Sequence, residues 1–90
     1  MSKVLIDTNI LVYSVDKDSQ YHETSQCILF ENSNELFTTS KNLSEFLVVM
    51  TRSQHSTLSA RQALVIINEF TSFINILFPS TGSFLLFQTY

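Results

Sequence analysis

Val4-Leu5-Ile6 is an unbroken apolar run, followed at once by Asp7-Thr8-Asn9 and then by the amphipathic stretch Ile10-Leu11-Val12-Tyr13. A short run with no polar alternation suits a strand buried on both faces, as in a parallel sheet. Thr8 or Asn9 can cap the helix that follows, which is expected to run to about Val15. A strand that passes directly into a helix puts Asp7 at its carboxyl end, where open parallel sheets bind ligands. This junction restricts the chain to the α/β class and places an acid where metal or phosphate chemistry is done.

The rest of the chain repeats the alternation. Asp16-Lys17-Asp18-Ser19 is a polar break, and Ser19 or Gln20 opens a second helix through Tyr21, Thr24, Cys27, Ile28 and Glu31. Leu36-Phe37-Thr38-Thr39 fits a second strand. Ser40 is a suitable N-cap for a third helix whose apolar stripe is Leu43, Phe46, Leu47 and Met50, at i, i+3, i+4 and i+7. Ser59 opens a fourth, with Ala63, Leu64, Ile67 and Phe70 on one side, and Asn75-Ile76-Leu77-Phe78 reads as a third strand stopped by Pro79. Residues 81–90 read as the start of a further helix. The order β-α-α-β-α-α-β predicts a parallel sheet with helices packed on it, joined by right-handed crossovers.

Ninety residues make one domain, and a single Gly and a single Pro leave no linker. Apolar residues are 44% of the chain and charged residues 14%, so core-forming side chains are abundant and solubilising ones few. The single cysteine, Cys27, excludes an internal disulfide framework, and a reducing cytoplasm is the expected compartment. Apolar runs such as residues 43–50 fall far short of the roughly 20 residues of a membrane span, so no membrane association is expected. With a formal charge of −3 and five scattered Lys and Arg, a nucleic-acid substrate would require a cation to offset repulsion.

Glu45 is the second acid of interest. It lies about 160° round the third helix from Leu47 and about 100° from Phe46, at the edge of the core stripe or outside it, within the first two turns and near the positive end of the helix dipole. Two carboxylates about 5 Å apart repel by roughly 3 kcal/mol at an effective dielectric near 20, so a site that gathers them binds a cation or keeps one acid protonated. Magnesium suits such a pair, because it takes oxygen ligands and is commonly held by one or two carboxylates plus substrate phosphates. The plainer readings are a helix cap for Asp7-Thr8-Asn9 and a solvated glutamate for Glu45.

Taken together, residues 4–13, the spacer with Asp16, Asp18, Tyr21 and His22, then Phe37-Thr38-Thr39-Ser40, Leu43-Ser44-Glu45-Phe46 and Thr51-Arg52 resemble the PIN-domain family. That family includes Mg-dependent ribonucleases and the VapC toxins of toxin-antitoxin pairs. The resemblance implies a three-layer α/β/α fold with a central parallel sheet. It also implies Asp7 and Glu45 as catalytic metal ligands for Mg2+, with Mn2+ as a substitute, and Asn9 as a supporting residue that orients the acids. RNA is the implied substrate, with an antitoxin protein and a second copy of the chain as further partners. PIN domains carry a third and usually a fourth acid in their last third, whereas Glu69 is the only acid here after Glu45.

The expectation is therefore a PIN-like domain over residues 1–90, corresponding to the N-terminal two-thirds and lacking the C-terminal strands. In that arrangement Val4-Leu5-Ile6 would be an exposed apolar edge, favouring aggregation, an oligomer or a covering partner. A rival from another class is a catalytically inactive PIN remnant that only binds a partner. A haloacid-dehalogenase-type phosphatase needs a second Asp two positions after the first, and position 9 is Asn. Cys27 is expected as a small buried side chain and His22 and His55 as surface residues, while Lys41 and Arg52 are read either as phosphate contacts or, more plainly, as solvated helix-end charges.

Overall fold

The burial of Val4, Leu5 and Ile6 in succession shows a strand covered on both faces, and the sheet is built outward from it. In the computed structural model, which describes residues 2–31, 34–52, 58–78 and 88–89, the elements follow in the order β1 (Ser2–Leu5), α1 (Thr8–Val15), α2 (His22–Phe30), β2 (Asn34–Thr39), α3 (Ser40–Arg52), α4 (Ala60–Thr71), β3 (Asn75–Leu77) and β4 (Gln88–Thr89). The sheet order is β3-β2-β1-β4, and every pair is parallel. Val4 lies opposite Leu36 and Leu5 opposite Phe37, while Phe37 lies opposite Asn75. This is the expected α/β architecture, and the four helices among the described residues connect parallel strands.

β4 overturns two expectations. Gln88 and Thr89 are strand rather than helix, and they pair with Val4 and Leu5, so β1 is flanked on both sides instead of forming an edge. The physical reason is that β1's second row of backbone groups is paired by the returning chain. The rest of the segment expected to be helical, including Phe84, Leu85, Leu86 and Phe87, lies outside the described residues.

The core joins Val4, Ile6, Leu11, Leu29, Leu36, Phe46, Phe70 and Ile74, with Leu43, Met50, Ile66 and Ile67 packed against them. Phe46 and Phe70 meet edge to face with centroids 5.3 Å apart, and Phe70 meets Phe73 in the same manner at 6.2 Å. The stripe of α3 faces the core as its periodicity requires, whereas Leu64 of α4 is exposed and Ile66 packs inward in addition to Ile67. Phe78 lies beyond β3 and is 80% exposed.

The helix starts follow from which side chain reaches an orphan amide. Asp7, with φ −81° and ψ 159°, is the N-cap of α1 and accepts from the Thr8 amide at 2.6 Å, so Thr8 is the first helical residue and not the cap. For α3 the hydroxyl of Thr39 accepts the Asn42 amide at 3.0 Å, one residue earlier than the expected Ser40. α2 begins at His22, later than Ser19 or Gln20, and the Ser19 hydroxyl is used in the preceding turn by the Tyr21 amide. Ser59 caps α4 in a reciprocal box with Gln62, as its sequence position implies.

Two stability tests follow. Phe46→Ala should cost about 3–5 kcal/mol, because a fully buried ring leaves a cavity, while Val48→Ala at a half-exposed position should stay within about 0.5 kcal/mol. Chemical denaturation of both variants checks the contrast. Asp7→Ala should lose about 1 kcal/mol through the cap, whereas Asp7→Asn, which keeps an oxygen acceptor, should remain within a few tenths of the parent in the same measurement.

Candidate acidic site

Because all four strands are parallel, their carboxyl ends lie along one edge of the sheet, and the chain leaves that edge into α1 after β1 and into α3 after β2. The connections run from β1 to β2 on one side, while β4 lies on the other side of β1. The carboxyl end of β1 is thus the point where strand order reverses, the usual position of a crevice in such sheets.

Asp7 is half-buried at the start of α1, with Oδ1 accepting the Thr8 amide. Glu45 is on the second turn of α3 and exposed; its Oε2 accepts from the Thr8 hydroxyl at 3.0 Å. The two acids are therefore fastened to the two polar groups of one residue, and that residue is itself buried. The Lys41 ammonium lies 4.0 Å from Glu45 Oε1 across one helical turn, a solvent-screened pair on the surface.

Thr8 is held from α3 by a second residue that sequence reasoning did not single out. Asn42 Oδ1 lies 3.0 Å from the Thr8 hydroxyl, and the Asn42 carbonyl lies 3.4 Å from it. The same side chain donates from Nδ2 to the Ile6 carbonyl at 3.1 Å and to the Thr38 hydroxyl at 3.4 Å. Thr38, fully buried on β2, donates to that same Ile6 carbonyl at 2.8 Å. A signal for Asn42 was present: it stands three residues before Glu45 on one helix, hence on the same side of its first turns. The sequence around Thr8 shows no more than a cap, because its partners Asn42 and Glu45 lie far along the chain.

Asn9 is exposed on the first turn of α1 and hydrogen-bonds to neither carboxylate among the described residues. Arg52, at the last turn of α3, is seven residues and so roughly 10 Å of helix from Glu45, and does not join the acids. Among the described residues no group of three or more His, Cys, Asp and Glu converges. The two carboxylates held by Thr8 offer hard oxygen donors, and one or two carboxylates completed by water and phosphate are what Mg2+ takes, so the donor set fits a divalent cation of that kind.

The remaining singled-out residues lie elsewhere. Cys27 is exposed rather than buried, because its helix turns Ser25 and Leu29 inward in its place. His22 is half-buried, not a surface residue, with Nδ1 2.8 Å from the Tyr13 carbonyl. His22 and Cys27 line an open depression of about 680 Å³ with Ser14 and Lys17, at the C-terminal end of α1 and so a helix length from Asp7. His55 lies outside the described residues. No helix among the described residues is long and apolar enough to cross a membrane.

Comparison with curated proteins finds no match for the chain. The profile of the PIN domain family matches residues 4–87, a span that contains the β1–α1 junction with Asp7, β2, the start of α3 with Glu45, and β3. The chain belongs to the PIN domain family.

Proposed function

We propose that this PIN domain, taken as residues 1–90, is a metal-dependent endoribonuclease that hydrolyses RNA phosphodiester bonds, with Asp7 and Glu45 as the catalytic metal ligands. PIN domains are typically nucleases that use divalent cations, and the observation that carries the reading to these residues is the attachment of both carboxylates to Thr8 at the strand-order reversal. Mg2+ is the proposed ion, with Mn2+ able to replace it. When bound, the ion neutralises phosphate charge and makes water a better nucleophile at neutral pH.

The chain's own groups have separate tasks in this scheme. Asp7 offers Oδ2, because Oδ1 is engaged by the Thr8 amide, and Glu45 offers the carboxylate that Thr8 steadies. Asn9, exposed on the first turn of α1, is the proposed supporting residue that orients the acids. Lys41 places a positive charge beside Glu45, suited to a phosphate oxygen. Single-stranded or loop RNA is the favoured substrate, since an unpaired backbone can bend into an edge site. A VapC-type toxin of the cytoplasm, with an antitoxin or a second copy of the chain as partner, is the specific role proposed.

A partner-binding protein without activity is the second reading. It is favoured by the exposed apolar side chains Val48, Val49, Leu64 and Val65 on the packed pair α3 and α4, and by the pairing of only two acids. Cleavage of a single-stranded RNA by the purified chain separates the two. Nuclease activity should require Mg2+ or Mn2+, vanish in chelator, and fall at least about 100-fold in Asp7→Asn, the scale on which loss of one transition-state-stabilising group acts. Cleavage that persists in chelator, or an Asp7→Asn variant as active as the parent, would contradict the nuclease reading, and a folded chain with no cleavage under any cation would favour the partner-binding one.

A further inference from the structure

The side-chain amide of Asn42 has only one workable orientation. The Ile6 carbonyl is an acceptor and already receives the Thr38 hydroxyl, so the group facing it must be Nδ2, and Oδ1 is thereby turned to Thr8. The Thr8 hydroxyl, however, has a single proton and three acceptors within reach: Asn42 Oδ1 and Glu45 Oε2 at 3.0 Å each, and the Asn42 carbonyl at 3.4 Å. It can give that proton well to one of them at a time.

We infer that Asn42 is a positioning residue of the acidic site, competing with Glu45 for the Thr8 proton and fixing the first turn of α3 against the end of β1. This role presupposes Asp7 and Glu45 as the cation-holding pair proposed above. With the proton directed to Glu45, one lone pair of Oε2 is engaged and the carboxylate is steadied beside Asp7. With the proton directed to Asn42, the whole of Oε2 is available to a cation. Asn42 is the partner that allows the second arrangement without leaving a buried hydroxyl unpaired. Asn42 touches no reacting atom in this scheme and acts only through Thr8 and the Ile6 carbonyl.

The test is Mn2+ binding, followed by electron paramagnetic resonance of the free ion, on the whole chain and on Asn42→Ala, Thr8→Val, the double variant and Asp7→Asn. Asn42→Ala and Thr8→Val should each weaken Mn2+ by about 10-fold, the lower end of what loss of a residue behind a metal ligand does. The double variant should lose clearly less than the product of the two single losses, because both remove the same hydroxyl contact and only Asn42→Ala also removes the bond to the Ile6 carbonyl. Unchanged affinity in Asn42→Ala, or losses that multiply in the double variant as independent structural damage would, overturns the role of Asn42 while leaving the acidic site standing. A parent chain that binds no Mn2+, or binds it equally well as Asp7→Asn, overturns the site and this role with it. Should Asn42→Ala not fold, Mg2+ titration of the parent by nitrogen-15 NMR decides: the Asn42 side-chain amide should shift together with the Asp7 and Thr8 amides, and an unshifted Asn42 amide beside shifted Asp7 and Thr8 overturns the inference.

Discussion

The peptide of Ile6 is the constraint on which the rest of this structure depends. Ile6 follows the last residue of β1 and is fully buried, so its backbone groups lie where water cannot satisfy them. Its amide donates to the Phe37 carbonyl at 2.7 Å, continuing the β1–β2 ladder by one bond. Its carbonyl receives two side chains, Thr38 from β2 and Asn42 from α3. An unpaired buried carbonyl would cost on the order of 1–3 kcal/mol, so these residues stabilise the exit of β1 and in the same step fix where α3 starts. The direction of the following residue, Asp7, is set by that exit.

From this anchor the acidic pair follows by short covalent and hydrogen-bonded steps. Asp7 leaves the strand in an extended conformation and caps α1, and Thr8 enters the helix with its hydroxyl turned toward α3. Two helix N-termini are brought to the same sheet edge, where their partial positive charge favours acidic side chains. α3 is thirteen residues long and is held by the fully buried Phe46, next to Glu45. The inward side chain and the outward acid are neighbours on one turn, so core packing sets the position of the exposed group.

The α/β class and the positions of the elements were legible because each rests on a local pattern: the apolar run at residues 4–6, the stripe through Leu43, Phe46 and Met50, and the Ser59 box with Gln62. Caps were less legible. Of Asp7, Thr8 and Asn9, all of which can cap, the structure uses Asp7, and Thr39 caps one residue before the expected Ser40, since several adjacent Ser, Thr and Asp residues can accept and backbone angles choose between them. β4 was misread because two residues have no periodicity, and its pairing with β1 spans most of the chain. Asn42 escaped attention for a deeper reason. Its main partner is a backbone carbonyl, and a carbonyl has no sequence signature.

The same geometry separates what holds the fold from what would perform the chemistry. Ile6, Thr8 and Thr38 are buried, and their hydrogen bonds close within the protein. Asp7 and Glu45 lie outside them, one half-buried and one exposed; Asp7 Oδ2 has no hydrogen bond among the described residues, and Glu45 Oε1 faces only the solvent-screened Lys41 ammonium. Thr8 stands at the boundary, with a backbone amide bound to one acid and a hydroxyl bound to the other. A change at Thr8 thus displaces both acids at once, whereas a change at either acid leaves the anchor at Ile6 intact. That asymmetry makes the acids the removable part of the site and the anchor the permanent one.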